Sequence, residues 1–210
     1  MEIRICCEND IAEVGRFYDK AVLHLCQTTN YPKWQYKVYP SEMSVREKTS
    51  VNQQFVCLDG EEIVGAFVLN NDPQGKYENA EWTTKLLRGE YMVCHTLATN
   101  PDVQGKGIGK QMVEFCNRCA KENGYKAIRL DVVPENIPAR RLYEKCGFHY
   151  IGDVDLEREI EEIYTVSNRT FYSIYGSCVF YEGRTWNLPG GFRSIFCFSG
   201  VPDLYFGWLA

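Results

Sequence analysis

The segment Val103-Gln104-Gly105-Lys106-Gly107-Ile108-Gly109-Lys110 sets the tightest limit on what this chain can fold into. Residues from Glu90 to about Thr99 read as a strand before it, and Ile108, Met112, Phe115, Cys116 and Cys119 recur on one helical face after it, up to Gly124. The unit is therefore strand, glycine turn, helix. Glycines let backbone approach a ligand closely, and the amides at a helix N-terminus, at the positive end of its dipole, suit a phosphate or pyrophosphate. Lys106 and Lys110 add charge of the right sign. Three glycines alternating with Lys106 and Ile108 exceed what a plain joining turn requires. Two familiar phosphate loops do not fit: a P-loop needs glycine where Gln104 stands and Ser or Thr where Gln111 stands, and the dinucleotide fingerprint spaces its glycines more widely.

The remaining pattern surrounds this unit. Residues 2–7 alternate weakly, as a short strand does, and Ile11, Val14, Phe17, Tyr18, Val22 and Leu25 predict an amphipathic helix over about 10–27. Tyr31-Pro32 breaks it, and Ser41 is placed to cap a second helix with Glu42 in its first turn. Gln54 to Leu58 and Ile63 to Val68, around Asp59-Gly60, read as a hairpin. Residues 70–89 read as loop. Ala127 to Val133 predicts a strand, Ala139, Leu142, Tyr143 and Cys146 a helix stopped by Gly147, and Phe148 to Val154 another strand. From Thr165 the last 46 residues hold twelve aromatics, five charges and no lysine, so this surface must be covered by the domain, by another subunit or within a β-rich appendage.

Composition excludes some partners. The 210 residues, 45% hydrophobic and 24% charged, can bury a real core. Lys+Arg number 23 against 28 Asp+Glu, and the net charge of −5 argues against nucleic acid and anionic membrane as partners. No apolar run approaches a bilayer-spanning length, and Met1-Glu2-Ile3-Arg4-Ile5 lacks the features of a secretory signal, so the expected compartment is cytoplasmic and the ten cysteines are expected to be reduced. Cys116 and Cys119 form a Cys-x-x-Cys within a helical pattern and the three histidines are scattered, which favours buried apolar cysteines and no metal site.

Some thirty residues past the glycine turn stands Asn136-Ile137-Pro138-Ala139-Arg140-Arg141-Leu142-Tyr143-Glu144-Lys145-Cys146-Gly147-Phe148. Together the two motifs resemble the GNAT superfamily of acyl-CoA-dependent N-acetyltransferases: Gln104 to Gly109 matches its pyrophosphate loop, and Asn136 with Leu142 to Phe148 its second conserved-pattern stretch. The likeness covers about residues 2–155, with 170–175 as the expected seventh strand. It implies an α+β fold on a mixed sheet whose fourth and fifth strands splay apart to admit acetyl-CoA. The domain would span residues 1–176, followed by an aromatic-rich, β-like extension over 177–210 with no counterpart in the family.

The resemblance also implies roles. Backbone of Leu97, Ala98 and Thr99 would pair with the pantetheine, amides from Val103 to Lys110 (Val103, Gln104, Gly105, Lys106, Gly107, Ile108, Gly109, Lys110) would hold the pyrophosphate, and Asn136 would contact the cofactor or cap its helix. Tyr143 would protonate the leaving thiolate. His95 is the favoured base for removing the amine's proton, with Glu90, Glu81 or water as alternatives. The acceptor wall includes Tyr31, Trp34, Tyr36, Tyr39 and Trp82, aromatics able to hold an ammonium. The expected acceptor is a small amine or amino acid, with a peptide N-terminus behind it. A non-catalytic acyl-CoA-binding sensor or scaffold is the alternative class, and a homodimer through the extension is compatible with both.

Overall fold

Period-2 and period-3.6 stretches alternate along the chain, and they fold into one mixed sheet flanked by helices. The computed structural model describes residues 1–154 and the strand 168–174. The chain divides into two units, Met1–Gly176 and Ser177–Ala210. Everything described here belongs to the first, and the expected extension over 177–210 lies outside the described residues. In chain order the elements are β1 (Glu2–Ile5), α1 (Ile11–Gln27), α2 (Glu42–Ser50), β2 (Gln54–Asp59), β3 (Glu62–Asn70), β4 (Tyr91–Thr99), α3 (Ile108–Glu122), β5 (Ala127–Val132), α4 (Ile137–Lys145), β6 (His149–Val154) and β7 (Asn168–Ile174). The strands lie in the order β1-β2-β3-β4-β5-β7-β6. Among the described residues only β4 and β5 pair in parallel, which is what a long crossover through α3 permits; the other neighbours are antiparallel.

Each face of the sheet takes one of the amphipathic helices. On the first, Ile11, Val14, Phe17, Tyr18 and Ala21 of α1 pack with Val56, Ala66 and Ala98, which are cross-strand partners on β2, β3 and β4. On the other, Phe115 of α3 meets the stacked pair Phe55 and Phe67, whose ring centroids are 5.1 Å apart. A Cβ on Gly65 would stand 2.6 Å from the Met112 sulfur, so the bare backbone there lets α3 seat close against β3. The buried Ile108, Met112, Val113, Cys116 and Cys119 lock α3 in place, each large apolar side chain contributing about 2 kcal/mol by removal from water. Ser41 caps α2 through a reciprocal pair in which its Oγ accepts from the Ser44 N–H and the Ser44 Oγ accepts from the Ser41 N–H.

The loop from β3 to β4 is pinned beneath β5. Tyr77 is fully buried and stacks on Tyr91, with centroids 6.4 Å apart. Arg129, buried on β5, places its guanidinium between the rings of Trp82 and Tyr91, 3.7 and 4.1 Å from their centroids. Among the described residues no helix is long and apolar enough to cross a membrane.

Candidate active site between the diverging strands

Strands β4 and β5 bond side by side at Tyr91↔Ala127, Met92↔Ile128 and Val93↔Arg129. Beyond this pairing they continue to Thr99 and Val132 and diverge, and a cleft of about 630 Å³ opens along the gap. Its walls come from β4, the end of β5, the start of α4 and the α1–α2 connection. The β4 wall is irregular. Ala66 pairs with Ala98 and Val68 with His95, so Thr96 and Leu97 together face Phe67 alone, a bulge in which Thr96 takes a left-handed φ of +47°. On its β3 side β4 is laddered; its opposite edge faces the cleft from His95 to Thr99.

At one end of the cleft the chain turns through Pro101–Val103 and Gln104 into α3. Asn100 anchors this turn from inside: its Oδ1 accepts from the Asp102 N–H at 3.1 Å and its Nδ2 donates to Glu62 at 3.0 Å. Gly105 and Gly107 both take left-handed φ, +83° and +78°, and a Cβ at either would meet nothing within 4 Å, so the outer surface of the turn is open. Gly107 is the N-cap of α3 and offers no side chain to its amides; the Gln111 N–H is the one that reaches the Gly107 carbonyl, at 3.1 Å. By helix geometry the N–H groups of Ile108, Gly109 and Lys110 have no carbonyl a turn behind them and point out of the helix end. A helix end of this kind suits an anion. A Cβ on Gly109 would lie 3.1 Å from Leu142 Cδ2, so this glycine also lets α4 approach α3 and brings Asn136 and Tyr143 beside the turn.

Tyr143 is buried on α4 at the cleft wall, its ring 5.8 Å from that of Phe148. Burial first, then the nearby Cys94 and Asp131, push its phenol well above the ordinary tyrosine range, so it stays a protonated donor. Asn136 is the N-cap of α4, its Oδ1 accepting from the Ala139 N–H at 3.2 Å, and it lines the cleft as well. Across from Tyr143, His95 directs Nε2 to the Asp72 carbonyl at 2.8 Å and to Asn70 Oδ1 at 3.2 Å. A carbonyl can only accept, so Nε2 carries the hydrogen that holds the ring to Asp72.

The profile of the family described as "Acetyltransferase (GNAT) family" matches residues 20–148. The chain belongs to this family. It is 30% identical over 120 residues to a streptothricin acetyltransferase of Escherichia coli, covering 55% of this chain and 64% of that protein. It is 39% identical over 57 residues to a spermine/spermidine N(1)-acetyltransferase of Bacillus subtilis, covering 27% and 38%. The chain thus spans less than two thirds of the length of either curated relative. The PaiA N-acetyltransferase from Thermoplasma acidophilum, solved in complex with coenzyme A, shares the fold with a TM-score of 0.61 at 16% identity, over 83% of this chain and 98% of that one. The splayed mixed sheet is the GNAT fold that the two motifs imply.

Within that fold, His95, Leu97, Ala98, Thr99, Gln104, Asn136, Tyr143 and Trp34 line one cleft, and the amides of Gly105 to Lys110 stand at its end. Trp34 is held there by Asn30, which accepts from its N–H at 3.0 Å and donates to its carbonyl at 2.7 Å. Trp82 does not line the cleft; it donates to the Tyr77 carbonyl at 2.6 Å and covers Arg129. Glu90 binds Lys126 and the Leu87 N–H, and neither it nor Glu81 lines the cleft. Among the described residues the carboxylate that does is Asp131 on β5, whose Oδ1 accepts from the buried Tyr77 phenol at 2.7 Å. A charge at every second position of an otherwise apolar strand, Arg129 and Asp131, was the available signal for it. Cys116 and Cys119 are buried on α3, and burial pushes the Cys119 thiol up to about 11. Among the described residues no cluster of His, Cys, Asp and Glu has the makings of a metal site.

Proposed function

We propose that this chain is an N-acetyltransferase that moves an acetyl group from acetyl-CoA to a primary amine of a small molecule by direct attack. The observation that carries the reading is the parting of β4 from β5 between an open helix N-terminus and a buried tyrosine. The residues fit the donor: open left-handed glycines at 105 and 107 leave room beside the amides of α3 for a pyrophosphate, and the edge of β4 at Leu97, Ala98 and Thr99 offers backbone to an extended pantetheine. Acetyl-CoA supplies the activated acyl group as a thioester.

The protein's own contribution is to hold and move protons. A primary amine has a pKa near 10 and is mostly an ammonium at neutral pH, so a base must take a proton before attack. His95, oriented through Nε2 by the Asp72 carbonyl, takes it. Tyr143 gives its proton to the departing thiolate. Asp131, fixed by Tyr77, adds the negative charge that draws an ammonium into the cleft, and the Trp34 face offers it a cation–π partner. The names of the curated relatives, a streptothricin and a spermine/spermidine acetyltransferase, support the small-amine class. Free-thiol release from acetyl-CoA, measured against polyamines, amino acids and short peptides, tests the reading. Acceleration by amines of small molecules is expected. Acceleration by peptide N-termini alone would move the acceptor class, and tight acetyl-CoA binding with silence across the panel would leave a binding module.

A further inference from the structure

Among the described residues that line the cleft, Lys33, Gln74 and Thr96 take a left-handed φ, and of these Thr96 is the β-branched one. A left-handed φ of +47° is uncommon for a β-branched residue, whose side chain crowds its own backbone there, and Thr96 holds it in the middle of a strand. Something must keep it in place. Two polar side chains on other elements end at this bulge. Tyr18 of α1 donates its hydroxyl to the Thr96 carbonyl at 3.0 Å, with Thr96 Oγ1 at 3.4 Å. Gln54 of β2 donates Nε2 to the carbonyl of Phe67, at 3.0 Å, and Phe67 is the residue that faces the bulge from β3. The same nitrogen lies 3.4 Å from the Tyr18 hydroxyl and 3.1 Å from the Phe55 carbonyl.

Tyr18 and Gln54 are each 1% exposed. Burying a phenol and an amide is costly unless their hydrogen bonds are made, and theirs converge where the β3–β4 ladder is interrupted. Burial also pushes the Tyr18 phenol well above the ordinary range, so it remains a donor. The bulge matters because it turns Thr96 and Leu97 out of the ladder on the strand that walls the cleft.

We infer that Tyr18 and Gln54 are positioning residues: a buried clamp from α1 and β2 that holds the β4 bulge in the strained shape required to receive the acyl donor. The donor part rests on the acetyltransferase reading; the clamp itself does not. Neither residue touches the reacting atoms. Their effect passes through Thr96 and Leu97.

Tyr18→Phe removes the hydroxyl and leaves the ring against Phe17 and Trp34. Amide hydrogen exchange on the ligand-free protein should quicken about tenfold or more at Thr96 and Leu97 and stay unchanged in β2 and α3. Coenzyme A affinity should fall by a similar factor, about tenfold, with the shape of the pH–rate profile unmoved. Adding Thr96→Gly, which accepts a left-handed φ without strain, should restore both in the double variant. Should Tyr18→Phe fold poorly, Gln54→Met keeps the side chain's length, deletes its donor and should give the same local quickening. Unchanged exchange at Thr96 and Leu97, or quickening that Thr96→Gly does not rescue, would overturn the clamp. Loosened exchange with coenzyme A affinity intact would overturn its link to the donor. A wild-type protein that binds no coenzyme A would instead sink the acetyltransferase reading, and the exchange result would still decide the clamp.

Discussion

Tyr143 reaches the cleft because α4 carries it one face round from Leu142, the residue that meets Gly109 of α3. With its phenol raised by burial, it remains a proton donor through and beyond the ordinary tyrosine range. In the proposed reaction Tyr143→Phe lowers turnover at least about tenfold and leaves coenzyme A affinity nearly unchanged, since only the departing thiolate loses a partner. Comparing kcat with a binding titration checks this, and an unaffected rate removes Tyr143 as the acid. The wild-type profile should show no alkaline fall near pH 10 attributable to that phenol. His95→Ala should flatten the acid limb, and an unshifted limb would transfer the base role to Asp131, the carboxylate on the same cleft. At Arg129 the issue is stability. Lysine lacks the flat guanidinium that lies between Trp82 and Tyr91 and donates to the Thr84 carbonyl, so Arg129→Lys should cost about 2 kcal/mol, read from the midpoint of urea unfolding.

The elements show what the sequence could and could not tell. The hairpin of β2 and β3, the cap at Ser41 and the glycine turn into α3 were legible because each depends on its own few residues. The β4 bulge was not. Every position from Tyr91 to Thr99 suits a regular strand, and the side chains that bond at the bulge, Tyr18 to Thr96 and Gln54 to Phe67, are remote in sequence. Trp82 was misplaced for a similar reason: nothing within residues 70–89 says that Arg129 will draw its ring against β5. Nor does local pattern reveal that β7 slots between β5 and β6. Gly107→Ala tests the turn as an element. A Cβ there meets no neighbour, so the stability cost is the left-handed backbone alone, about 1 kcal/mol. Coenzyme A affinity should nevertheless fall about tenfold, because the methyl stands where the anion must approach the α3 amides. The start of α1 has a pH signature. Arg4 grips both oxygens of Asp10, at 2.6 and 2.9 Å, and holds its carboxyl well below the usual range. A depressed pKa stabilises the fold above the carboxylate's ordinary value and is lost as pH falls below about 4. Asp10→Asn should therefore lower stability at neutral pH and shrink the acid-induced loss, as unfolding midpoints followed from pH 7 downward would report.

At the scale of the whole molecule, the family's fold supplies a cleft and this chain's own Asp131, Trp34, Tyr143 and His95 line it; in the proposed reaction the first two meet an ammonium and the last two handle protons. The aromatic-rich residues from 177 onward are read from sequence alone. If they join two copies, sedimentation of the chain cut at residue 177 should report half the mass of the full chain's assembly, and an equal subunit number would remove that role. The central claim is that coenzyme A lies along the parted edge of β4 with its pyrophosphate on the turn into α3. Titrating coenzyme A into isotopically labelled protein and following backbone amide resonances tests it most directly. The account predicts that the largest shifts fall on Leu97 to Thr99 and on Gly105 to Lys110; saturation that leaves those amides still, or moves a different surface, would contradict it.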